Sequence, residues 1–174
     1  MKGTPWIERE FHFDLPIGVF PCIVERLRGT PARLEEMVAA LPTRILTLRL
    51  NDGWSIQEHI GHLYDLDELH EGRLDDFKAH LKVLRSADMT NRKTYEANHN
   101  AESMQSLLAS FSEARKHFVE RLEDLDKELL SVTAIHPRLQ KPMRVIDMAF
   151  FVAEHDDHHL ATITELSRKL NLTS

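Results

Sequence analysis

The chain has 174 residues, of which 42% are hydrophobic and 29% charged, and it carries a formal net charge of −6 with a pI near 6.0. That balance argues against nucleic acid as the main partner, and no apolar run reaches the ~18 residues of a membrane-spanning helix. The single cysteine, Cys22, excludes an internal disulfide framework and suits a reducing cytoplasm.

Residues 1–20 mix aromatics (Trp6, Phe11, Phe13, Phe20) with Pro5 and Pro16, and read as an irregular arm that packs its rings against the rest. Met1–Glu10 lacks the apolar core of a signal peptide. From Cys22 to Leu41 the period turns helical, with Ile23, Leu27, Leu34, Met37, Val38 and Leu41 inward. Gly29-Thr30-Pro31 interrupts it, since Thr30 can cap and Pro31 suits a first helical turn. Pro42 and Asn51-Asp52-Gly53 mark the following turns.

Ser55-Ile56-Gln57-Glu58 is a capping box, with Trp54 and His59 placed as a hydrophobic staple. The helix it starts is expected over Ile56–Leu84, with Ile56, Ile60, Leu63, Leu66, Leu74, Phe77 and Leu81 inward. His59, His62 and His70 fall on or beside that arc, and Gly61 leaves room for a close approach. Ser86–Asn100 reads as a connecting loop, with a single turn of helix at most. Helix resumes near Ala101, with Leu107, Phe111, Phe118 and Leu122 inward and Glu113, Arg115, Lys116 and Glu120 on a solvated face. A helical stub through Leu130 and a proline-bounded loop, His136–Pro142, lead to the last helix.

That helix, Met148–Leu170, carries the chemistry. Its stripe Met148, Val152, His155, His159, Ile163, Leu166, Leu170 is apolar except for two histidines one turn apart. Imidazoles at that spacing can share one metal ion. The bland alternative is a pair of core histidines, but burying both without partners costs roughly 1–3 kcal/mol each. His158 also shares a face with His155. A third ligand is needed, and one of His59, His62 and His70 on the capped helix could face the pair. Four main helical segments joined by loops predict an all-α, four-helix bundle, taken as a single domain over 1–174 with the arm at about 1–20.

Trp54–Leu63 (WSIQEHIGHL), followed about ninety residues later by His155–His159 (HDDHH), resembles the DinB-like metalloprotein superfamily, which includes bacillithiol transferases and is related to mycothiol-dependent isomerases. The likeness runs from about Phe20 to Leu166, through the FSEARKHFVERLEDL helix. It implies an up-down-down-up bundle, a homodimer, and one divalent metal held by three histidines, which fall here on His62, His155 and His159. His59 and His158 stand beside those positions.

Three neutral imidazoles leave a divalent ion an open position, which distinguishes a catalytic site from a closed structural one. Zinc and nickel suit such ligands best, with manganese or iron as further candidates. The implied activity is transfer of a low-molecular-weight thiol onto a small electrophile; a metal-dependent hydrolase and a non-catalytic metal-binding bundle are the alternatives. No catalytic residue is fixed by the pattern. His158 and Asp157 are candidate proton carriers or supports, Glu58 is a candidate already engaged by the capping box, and Tyr64 and Asp65 could edge the pocket. Glu154 and Asp156 are expected to face solvent.

Overall fold

Capping and helical period set most of the local structure. The structure is a computed structural model that describes residues 3–172. Its helices are α1 (Phe20–Arg28), α2 (Thr30–Ala39), the short α3 (Thr43–Leu46), α4 (Ile56–Lys78), the short α5 (Arg92–Ala97), α6 (Met104–Glu123) and α7 (Val145–Leu172). None of the described helices is long and apolar enough to cross a membrane. α4 starts at the predicted capping box, and Ser103 caps α6 by accepting from the Ser106 backbone at 3.1 Å. At the kink between α1 and α2, Thr30 makes no helix cap; its hydroxyl donates to Asp156 at 2.7 Å.

Three expectations are corrected. α4 ends at Lys78 rather than near Leu84. His80 takes a left-handed φ of 52°, its N–H reaches Phe77 O at 2.9 Å and the Leu81 N–H reaches Asp76 O at 3.0 Å, a Schellman stop with histidine in the usual glycine position. Leu81 is therefore left 46% exposed. The segment expected as a loop around His136–Pro142 is a hairpin, β1 (Thr133–His136) paired antiparallel with β2 (Lys141–Arg144). Arg115 and Asp156, both expected in solvent, are each 1% exposed.

Side-chain pairs give the direction of each helix. Asp67 meets Arg115, Glu71 meets His117 and Asp75 meets Arg121, so α4 and α6 run parallel. His59 meets His159 and His62 faces His155, so α7 runs antiparallel to α4. Arg26 reaches Ala153 while Arg33 reaches Asp157, which sets the α1–α2 unit parallel to α7. The result is an up-down-down-up four-helix bundle. Because α4 and α6 are parallel, residues 79–103 must travel back along the bundle, and α5 lies on that return.

The core is divided in two. One apolar cluster holds Ile23, Leu27, Leu74, Phe77, Phe118, Leu122 and Val152 with the hairpin and Phe11 of the arm; the other holds Leu34, Ile56, Ile60, Leu107, Phe111, Leu160 and Ile163. A polar layer lies between them, built from His62, His70, His155 and His159 on one side and an ion triad on the other. In the triad the Arg115 guanidinium donates to Asp67 at 2.9 Å and to both oxygens of Asp156, which also accepts from Thr30.

Removing one member of a buried ion network strands the others and typically costs about 3–5 kcal/mol. Arg115→Leu is accordingly expected to lower the unfolding free energy by that order, read by urea denaturation. A loss below about 1 kcal/mol, the range of an exposed pair, would contradict the role given to Arg115.

Candidate metal centre

The site starts from the α4 cap. Ser55 Oγ accepts from the Glu58 N–H at 3.1 Å and the Ser55 N–H donates to Glu58 Oε2 at 2.9 Å. This fixes the entry of the chain, so that Trp54 packs edge-on against His59 with centroids 5.5 Å apart and lies 4.7 Å from the His62 ring. Trp54 thus supplies both the staple and a wall of the site.

His62 of α4 and His155 and His159 of α7 each offer a nitrogen, and the three nitrogens lie within 4.8 Å of one another. All three side chains are buried, between 5% and 7% exposed. His155 Nε2 and His159 Nε2 are 3.2 Å apart. For His62 and His159 the other ring nitrogen has a contact, while His155 Nδ1 is buried without a partner among the described residues. Thr94 Oγ1 donates to Asp65 Oδ2 at 2.9 Å, so it can only accept from His62 Nδ1, 3.1 Å away. That fixes His62 as the Nδ1–H tautomer, with the Nε2 lone pair free. His159 Nδ1 lies 2.8 Å from His59 Nδ1, and a proton on His159 Nδ1 frees its Nε2 in the same way. Asp65 is anchored in turn by His99 Nε2 at 2.9 Å.

Burial keeps these rings uncharged. Desolvation, followed by the nearby histidines, pushes His62 and His59 down to about 4, and holds His155 and His159 well below the ordinary histidine value. Neutral imidazoles with oriented lone pairs are what a divalent cation requires. The donor set therefore fits one such ion.

All three histidines border a cavity of about 470 Å³. Trp6 of the arm closes one side, 4.9 Å from both Phe151 and His155. Besides the aromatic rings and the cluster, Arg73, His136 and Arg138 line the cavity.

The other candidates fall elsewhere. Asp157 is held by Arg26 at 2.5 Å and Arg33 at 2.7 Å, on the side facing α1 and α2, and does not border the cavity. Glu58 is bound by its cap and by Arg49. His158 is half-buried and packs on Trp6 at 5.8 Å. Glu154 is half-buried and paired with Arg26. Asp65 stands behind His62 rather than at the mouth. Sequence reasoning missed Thr94 and His99, which sit in the irregular return segment. The available signal was Gly61: a Cβ there would lie 2.2 Å from His99 Cδ2, so its missing side chain is filled by His99.

A family model described as the DinB superfamily matches residues 26–163, and the chain belongs to that superfamily. Among curated proteins, none matches the chain. The solved structure of YfiT from Bacillus subtilis is 22% identical, with a TM-score of 0.74 and coverage of 94% of each chain; that protein is described as a probable metal-dependent hydrolase with an unusual four-helix bundle topology. The likeness extends the agreement in fold to nearly the whole chain.

Two outcomes are expected. Thr94→Val removes the acceptor that selects the His62 tautomer, so ring 15N shifts that report a single Nδ1–H form in the wild type should report a mixture in the variant; unchanged shifts would contradict the relay. The second outcome concerns acid. In the metal-free chain His59 and His62 are lowered to about 4 and His136 to about 3, so the unfolded state binds more protons below about 6.5. Stability should be complete above that pH and fall as pH drops toward 4. Asp67, raised to about 6 chiefly by burial, opposes this as a single group. A denaturation midpoint unchanged between pH 7 and 4.5 would contradict the burial of these rings as neutral species.

Proposed function

We propose that this member of the DinB superfamily is a divalent-metal-dependent enzyme, with His62, His155 and His159 as the ligands of one ion and a small molecule as substrate. The observation that carries the reading is the convergence of three buried, neutral imidazole nitrogens at the wall of a cavity. An all-imidazole set suits zinc or nickel best.

Such an ion, when bound with an open position, supplies Lewis acidity that activates a small nucleophile near neutral pH. The chain's own residues do the rest. Thr94 holds His62 in one tautomer, and His59 contacts the Nδ1 side of His159. Trp6, Trp54 and Phe151 exclude water on the aromatic side of the cavity. None of Asp157, Glu58 or His158 stands free at the cavity wall as a proton carrier, although His70 and His136 border it. The family resemblance of the two histidine motifs supports thiol transfer to an electrophile. Hydrolysis is the second reading, supported by the description of YfiT. A homodimer is proposed on the resemblance alone.

The test joins metal content to turnover. Protein purified without added metal or a histidine tag should hold about one equivalent of a divalent metal, as a single site requires. His155→Ala/His159→Ala should lose it together with any activity in a screen of thiols with electrophiles and of simple esters and amides. His80→Ala and His117→Ala should retain both. Because burial lowers the ligand histidines, metal should stay bound at pH 6 and be displaced by protons only toward pH 4. Full occupancy in the double variant would refute the site, and turnover indifferent to chelation would refute the metal's role.

A further inference from the structure

Arg73 and Arg138 both line the cavity without an ion pair among the described residues, Asp76 acting on Arg73 through its charge alone. Arg73 of α4 is 2% exposed, yet among the described residues it makes one hydrogen bond, from Nε to the Arg85 carbonyl at 3.2 Å, and no ion pair. Asp76, about one turn on along α4, is engaged by Arg85, which donates from its backbone N–H at 2.8 Å and from its guanidinium. Arg138, in the hairpin turn, has a buried terminal nitrogen with no partner among the described residues, and its guanidinium lies 5.7 Å from the Phe151 ring. His136 Nε2 and His70 Nδ1 are also buried and unpartnered, and both side chains border the same cavity. Asp88 at the rim accepts from Thr90 and from the Arg92 N–H, and is turned to its own loop.

Native interiors rarely leave such donors unmet, and guanidinium groups without a counter-charge are rarer still. Their placement has a direction as well. Phe151, beneath Arg138, precedes His155 by one turn of α7, about 6 Å of helix rise. We propose that Arg73 and Arg138 form the subsite for an anionic group of the substrate, a carboxylate or a phosphate, in the same cavity that the three-histidine cluster borders. Planar guanidinium forks match either oxyanion. His136 adds a neutral donor: burial, followed by these two arginines, lowers it to about 3. The subsite gives the reaction proposed above its substrate class, and rests on that reading for the statement that the bound anion is turned over.

Anion binding can be tested without turnover. Calorimetric titrations of the full chain use inorganic phosphate and, separately, succinate, each on metal-loaded and on EDTA-treated protein. One site is expected, retained after EDTA, weakened about tenfold or more in Arg138→Gln as for loss of a charged hydrogen bond, and weakened less in Arg138→Lys. Arg138 is half-buried in a turn, so this variant is expected to fold, and circular dichroism checks it; Arg73→Gln is the second variant. Binding of phosphate alone assigns a phosphoryl group and binding of succinate alone a carboxylate, and either supports the subsite. No binding, binding unchanged in both variants, or binding lost with EDTA would overturn it. Arginine-dependent binding by a protein that never holds metal would instead refute the metal site and leave the anion subsite standing.

Discussion

The arrangement of this bundle depends on one buried guanidinium. Arg115 of α6 lies between Asp67 of α4 and Asp156 of α7, and so ties together the two helices that carry the candidate ligands. Such networks add little net stability compared with apolar packing, but they tolerate few alternative registers. Successive residues on a helix point about 100° apart, and α7 uses this at three consecutive positions. His155 faces α4 and the cavity, Asp156 faces Arg115 on α6 and Thr30 at the start of α2, and Asp157 faces Arg26 and Arg33. A rotation of α7 that removed His155 from the cluster would also break both charged contacts.

The polar layer is affordable only because apolar layers flank it. Ile60, Leu63, Phe111 and Ile163 on one side and Leu74, Phe77, Phe118 and Val152 on the other are all at most 1% exposed. Burying each such side chain contributes roughly 1.5–3 kcal/mol, enough to hold the helices together while the middle of the bundle holds charges and open lone pairs. A bundle is well suited to this, because a site built on rigid helices keeps its geometry when its loops vary.

What the sequence reveals follows the range of its signals. The capping box at Ser55, the staple of Trp54 on His59 and the His155–His159 pair are local, and each is read within five residues. The long α4, α6 and α7 follow from their apolar period. Arg115 was hidden among charged neighbours that do face solvent and Asp156 in a run of acidic and histidine residues, and only a partner on another helix makes their burial possible. The stop at His80 was hidden because histidine rarely takes a left-handed turn. Thr94 and His99 belong to a segment with no period, placed against α4 only by the parallel arrangement of α4 and α6.

That placement has its own code on α4. Gly61 and Gly72 are eleven residues apart, close to three turns, so they lie on one face. Each leaves a space filled by a side chain from the return segment: His99 at Gly61 and Arg85 at Gly72, where an added Cβ would lie 2.0 Å from Arg85 Nη1. Four residues after each glycine stands the carboxylate that receives the inserted group, Asp65 for His99 and Asp76 for Arg85. The glycine admits the ring or guanidinium and the aspartate one turn on binds it, and the device is used twice. The first insertion ends at the candidate metal cluster, through Asp65 and Thr94 to His62. The second ends at Arg73 in the cavity wall, since the Arg85 that occupies Asp76 also presents its carbonyl to Arg73. One helix face, with glycine and aspartate repeated at the same offset, therefore docks the return segment and sets the chemistry of both halves of the cavity.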